Sequence, residues 1–127
     1  MEYGMDEFEL YPELIQIAGT DGAQEIPLVV PIGEAWKLTQ VIGLHNDPAA
    51  RDCYWDITDG VTRYRLKTPI NLATNILDFL YKDTYINGPL IVFHNFEILW
   101  NVTAVAAGFH GVIRATVYKL RGLPVRE

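Results

Sequence analysis

Hydrophobic and polar residues alternate most regularly over Ala35–His45. Trp36, Leu38, Gln40, Ile42 and Leu44 fall on one face, and Lys37, Thr39, Val41, Gly43 and His45 on the other. A period of two with one mostly apolar face predicts a half-buried β-strand. Asn46-Asp47-Pro48 closes it with strong turn chemistry. Cys53–Thr58 is rich in strand formers, and Asp59-Gly60 separates it from Val61–Lys67, which predicts a hairpin. In its second limb Val61, Arg63, Arg65 and Lys67 share a face, so three bases form a stripe. Val112–Arg121 alternates Val112, Arg114, Thr116, Tyr118 and Leu120 against Ile113, Ala115, Val117, Lys119 and Arg121. Leu90–His94 and Ile98–Val105 are two further strands, tightly linked through Asn95-Phe96-Glu97. Leu14–Ala18 and Ile26–Val30 are shorter, and Pro27 and Pro31 restrict the latter to an edge or a strand end.

Residues 70–87 allow two readings. Ile70, Leu72, Ala73, Ile76, Leu77 and Leu80 have approximate helical spacing, but Pro69, Asn71, Thr74 and Asn75 weaken a helix. A short helix and two short strands both fit. With about eight to ten short strands, turn signals between them and no βαβ alternation, the expected fold is all-β. The architecture is an antiparallel β-sandwich or jelly roll. Two facing sheets would bury Trp36, Trp55 and Trp100. The expected organisation is an extended arm over residues 1–13 and a single domain over residues 14–127.

Charge separates those two parts. Residues 1–36 hold eight acids (Glu2, Asp6, Glu7, Glu9, Glu13, Asp21, Glu25 and Glu34) and no Lys or Arg. The other 91 residues hold eight acids and ten bases. A nearly neutral domain with an acidic, aromatic leading arm points to an assembly element. The net charge of −6 argues against general nucleic-acid binding. Neither a signal peptide nor an apolar run near 20 residues is evident, so no membrane partner is expected. One cysteine, Cys53, leaves no intrachain disulfide.

No constellation carries evident chemistry. His45, His94 and His110 stand apart, outside any metal-binding spacing, and turn or strand-end histidines bonded to backbone explain them better. Cys53 paired with His45 would make a nucleophile, but it opens an apolar strand and reads as a buried thiol. Serine is absent from the chain, which excludes a serine nucleophile. Asp47, Asp52, Asp56 and Asp59 lack the calcium-loop pattern, and turn initiation accounts for them more simply. Exposed tyrosines would suit sugar stacking, yet they form no cluster along the chain. The expectation is therefore a non-enzymatic protein with no cofactor and no metal.

One stretch carries a resemblance. Pro31-Ile32-Gly33-Glu34-Ala35-Trp36-Lys37-Leu38 leads a long strand into His45-Asn46-Asp47-Pro48-Ala49-Ala50-Arg51-Asp52. Gly88-Pro89-Leu90-Ile91 opens two later strands, a loop of small residues follows (Ala104, Ala106, Ala107, Gly108), and the last strand ends in Thr116–Pro124. In pattern and order, residues 26–124 resemble small tailed-bacteriophage virion proteins of β-sandwich or jelly-roll fold that decorate or cement the capsid. The resemblance implies a structural protein of the virion, assembled in the host cytoplasm. Its partners would be the major capsid protein and itself, as a homodimer or homotrimer. Another phage structural part (a head–tail adaptor, tail or fibre component) and a carbohydrate- or receptor-binding module are the alternatives. The expected interface residues are Glu2, Tyr3, Asp6, Glu7, Phe8, Glu9 and Tyr11 of the arm, and Arg63, Arg65 and Lys67 of the stripe. The arm's acids would meet capsid bases or the stripe of a sister subunit.

Overall fold

The computed structural model describes residues 9–82 and 90–121. These residues form ten strands and no helix: β1 (Glu13–Ala18), β2 (Glu25–Val29), β3 (Ala35–His45), β4 (Arg51–Thr58), β5 (Arg63–Arg65), β6 (Ile70–Leu72), β7 (Asp78–Lys82), β8 (Leu90–Phe93), β9 (Glu97–Val102) and β10 (Gly111–Leu120). All pairings are antiparallel and nest like one long hairpin: β10 with β1 and β3, β9 with β2 and β4, β3 with β7 and β8, and β4 with β5 and β6. The tip of that hairpin is Asp59-Gly60, where Gly60 takes φ +94° and Asp59 caps the backbone N–H groups of Val61 and Thr62. Rolled up, the hairpin gives two sheets. Sheet A runs β1-β10-β3 with β7 and β8 sharing its far edge, and sheet B runs β2-β9-β4 with β5 and β6 sharing its own. This is the expected sandwich in jelly-roll order.

The core lies between the sheets. Trp55 and Trp100 are fully buried with ring centroids 4.5 Å apart and planes tilted by 38°. Each indole N–H finds a partner: Trp100 Nε1 donates to Leu44 O at 3.0 Å, and Trp55 Nε1 to Asp78 Oδ2 at 3.1 Å. Trp36 is also buried and donates to Glu34 Oε1 at 2.9 Å. Pro27 sits in the edge strand β2, where its missing N–H breaks no ladder.

β3 departs from the regular alternation in its sequence. Opposite β10, Leu38 faces Val117 and Gln40 faces Thr116, so Thr39 is an extra residue in the ladder. One inserted residue reverses every side chain beyond it. Trp36 and Leu38 point into the core, and after the bulge Val41, Gly43 and His45 do so. Gln40, Ile42 and Leu44, expected on the inner face, alternate onto the other side of the sheet, where Ile42 and Leu44 are nonetheless buried, at 8 % and 7 % exposure. A second irregularity sets Val41 against Tyr81 and Ile42 against Phe79, leaving Leu80 extra in β7.

The segment left open over residues 70–87 is strand where described. Asn75 adopts φ +58°, a left-handed conformation that a right-handed helix across residues 70–80 could not contain. β6 therefore pairs β4 at Arg51–Cys53, and β7 begins after the turn. The expected strand Val61–Lys67 shrinks to Arg63–Arg65, because the chain leaves the ladder after Leu66 and rejoins it as β6. Residues 83–87 lie outside the described residues.

Candidate partner interface

The basic stripe is present, but acids of its own chain meet it. Arg65 lies directly opposite Asp56 across the β4–β5 ladder. Arg65 Nε is 2.7 Å from Asp56 Oδ1, and Arg63 Nε is 3.1 Å from Asp56 Oδ2. Arg63 also pairs with Glu25 on the far edge of sheet B, and the Arg65 guanidinium stacks 3.9 Å over Tyr54. Lys67 lies beyond the strand, with Nζ 2.8 Å from Asp78 Oδ1 and 2.9 Å from Phe79 O. Asp56 and Asp78 are buried, so these bases neutralise carboxylates withdrawn from water. Sequence reading missed this partnership because it grouped residues along one strand. The hairpin register around Asp59-Gly60 was the signal that placed Asp56 beside Arg65.

Of the arm residues, Glu2, Tyr3, Asp6, Glu7 and Phe8 lie outside the described residues. Glu9 and Tyr11 lie within them. Glu9 is held to the end of β10, its N–H donating to Lys119 O at 2.9 Å and its carboxylate pairing with Arg121. Glu13 lies 2.9 Å from Lys119 and 3.5 Å from Arg121. The hydrogen bond from Lys119 leads in holding its carboxyl below the ordinary range. Residues 9–13 thus extend the β1 edge as an ion-paired strap. Leu10, Tyr11 and Leu14 project outward from it, each at least 80 % exposed.

The two outer faces differ in chemistry. On sheet B, Glu25, Asp56, Arg63 and Arg65 pair among themselves, over a shallow depression shared with Pro27, Glu97 and Leu99. On sheet A, Leu14, Gln16, Arg114, Thr116, Gln40 and Ile42 lie side by side around an apolar groove of about 250 Å³. Phe79, Ile91 and Phe93 extend this surface across β7 and β8, each 40–48 % exposed. Two of its bases lie against neutral groups: Arg114 Nε donates to Gln16 Oε1 at 3.1 Å, and Lys82 lies 5.9 Å over Phe79. The acids of these strands turn away from this face. Glu13 pairs with Lys119 at the sheet's end, and Asp78 reaches inward to Trp55. Among the described residues, sheet A therefore presents an outer face with bases and exposed apolar groups and no carboxylate. The Thr39 bulge builds it by turning Gln40 and Ile42 outward.

The groups considered for chemistry have structural partners. Cys53 is buried, donates to Arg51 O at 3.4 Å, and has its pKa pushed up to about 12 by burial, with Asp78 and Asp52 adding. His45 is buried between two backbone groups, Nδ1 accepting from Asp47 N–H at 3.1 Å and Nε2 lying 2.7 Å from Leu72 O. His94 Nδ1 accepts from Gly33 N–H at 3.3 Å, and His110 Nδ1 is 3.0 Å from Asp21 Oδ1. Among the described residues no group of three His, Cys, Asp or Glu side chains is disposed to hold a metal. Asp52 accepts from Asn71 Nδ2 at 2.9 Å, and Asp59 caps its turn.

Asp47 ties the β3–β4 and β9–β10 loops together at one end of the sandwich. It accepts from the N–H groups of Ala106 and Ala49 and from Arg51 Nε, all at 2.9 Å. The two backbone N–H groups lead in lowering its pKa from 3.8 to about 2. A carboxyl more acidic in the folded than the unfolded chain stabilises the fold above its unfolded pKa and loses that effect as pH falls through the folded value. Thermal stability should therefore decline between about pH 4 and pH 2. Asp47→Asn should lower the Tm at pH 7 and make that acid slope shallower in a calorimetric series. An unchanged slope would remove Asp47 as the acid-sensitive tie.

The chain matches no family model, and no curated protein is significantly similar to it. Among solved structures it is similar to Drosophila NLP-core, a structure described for its insight into pentamer formation and histone binding. Sequence identity is 4 %, the TM-score is 0.45, and the match covers 85 % of this chain and 98 % of that one.

Proposed function

We propose that this protein is a non-enzymatic structural module that acts by binding protein surfaces. In its most specific form it binds the outside of a phage capsid and bridges capsomers, and its place is the virion. The observation that carries this reading is the outer face of sheet A, apolar, basic and without a carboxylate among the described residues, with the acidic arm attached along the same sheet's edge. Exposed Leu10, Tyr11 and Leu14 at the arm's base give it apolar area to bury. The stripe's charges already meet buried Asp56 and Asp78, so Arg63 and Arg65 hold the hairpin limb to β4 of sheet B and Lys67 ties the chain after it to β7 of sheet A. The alternative reading as a sugar-binding module draws less support, because Tyr54 and Tyr118 lie under Arg65 and Lys37, and the exposed Tyr11 and Tyr64 belong to different sheets, just before β1 and in β5.

The test is co-sedimentation of the purified protein with capsids of the phage that encodes it, with and without residues 1–8. The full chain should pellet at a fixed ratio to capsid subunits, and the deletion should reduce that binding by about tenfold or more, as expected when a terminal segment supplies much of an interface. Failure of the full chain to bind any capsid would overturn the capsid reading.

A further inference from the structure

We infer that the outer face of sheet A is the receptor for the acidic N-terminal segment of a second copy of this chain, seated on the groove between Leu14 and Ile42. This rests on the reading of the arm as an assembly element and names the surface that it engages.

Charge and composition select the occupant. Residues 1–8 carry Glu2, Asp6 and Glu7 together with Tyr3 and Phe8 and no base. The groove offers the complement: exposed Leu14 on its wall, with Ile42, 8 % exposed, in its floor, to receive aromatic rings, and Arg114, which among the described residues is bonded to the neutral Gln16. Lys82 lies at the far side of the same face, in register with Gln40. The paired charges of sheet B offer no such excess.

The chain's course argues for a neighbour over the segment's own groove. β1 runs antiparallel to β10, so going back from Glu13 to Glu9 leads beyond the groove to the end of β10 at Lys119 and Arg121. The strap there already fixes Glu9 and Glu13 to their own domain. Residues 1–8 span at most about 26–29 Å when extended, enough to cross a neighbouring sheet. Exchange of such segments between two copies is reciprocal, so one complementary pair of surfaces closes a symmetric assembly.

The experiment uses the full chain carrying a photo-crosslinking phenylalanine at position 3, made in light and nitrogen-15 forms and mixed in equal amounts. Illumination should join light to heavy copies, with cross-links ending on residues 14–16, 40–42 or 114–116. Arg114→Glu should lower their yield about fivefold at low ionic strength, with recovery when Glu7→Lys is added. Arg114 lies on an exposed face, so the Tm of this variant should be unchanged; Arg114→Gln provides the milder variant. Cross-links only within single chains, or only to other faces, would overturn the inference. Capsid binding that needs residues 1–8 without light-to-heavy cross-links would overturn this inference and leave the proposed function standing. Cross-links in a protein that binds no capsid would do the reverse.

Discussion

Gly43→Ala should destabilise the protein by about 3 kcal/mol, at the upper end of what overpacking a core costs. The reason lies in the bulge of β3. After Thr39, Gly43 points between the sheets, where an added Cβ would lie 2.6 Å from two atoms of the Trp100 ring and 2.7 Å from Trp55 Cζ2. Neither ring can retreat easily. They pack on each other, and each is anchored by its indole N–H, Trp100 to Leu44 O and Trp55 to Asp78. The expected fall in Tm is on the order of 10 °C for a domain of this size. The same substitution combined with Trp100→Phe should cost less than the sum of the two single changes, because the smaller ring makes room for the methyl group. Strict additivity in thermal melts would show that Gly43 does not serve as the seat of the tryptophan pair.

The second large effect concerns the stripe. Arg63→Glu with Arg65→Glu should destabilise the fold by about 2–3 kcal/mol, below the 3–5 typical of a broken buried ion pair, because both guanidinium groups are about half exposed and partly screened. Asp56, 4 % exposed, would lose both partners and face two like charges. Glu25 would lose Arg63, and Tyr54 its stacked guanidinium. Read from the sequence alone, the stripe meets the acids of a sister subunit's arm, and its reversal would act on association. The geometry moves the expected readout to urea or thermal unfolding. A double variant as stable as the native chain would mean that the Asp56 pairs contribute nothing measurable.

These two cases show what the sequence made legible and what it did not. Strand number, hairpin tip, antiparallel order and the burial of three tryptophans followed from alternation, turn residues and aromatic content, which are local signals. The orientation of Ile42, Gln40 and Gly43 did not follow. It depends on a one-residue step against β10, and Thr39 has no feature that marks it as a bulge. The stripe was legible as a row of charges, but its meaning depended on cross-strand partners. Asp56 looked like one of four turn aspartates, yet in the fold it is a buried anchor under two arginines, while Asp47 and Asp59 do cap turns. The split of charge along the chain was legible from the first 36 residues. Its structural counterpart, a sheet whose outer face lacks carboxylates among the described residues, needed the topology that brings β1, β10 and β3 together.

The account assigns self-association to sheet A and internal cohesion to the stripe on sheet B. Sedimentation equilibrium at low ionic strength, run on the native chain, Arg114→Glu and the Arg63→Glu/Arg65→Glu variant, compares them directly. The account predicts that the native chain is oligomeric, that Arg114→Glu shifts it toward the monomer mass while folded, and that the stripe variant keeps its oligomeric mass at temperatures where it remains folded. A monomeric native chain, or dissociation caused by the stripe variant while Arg114→Glu stays assembled, would contradict it.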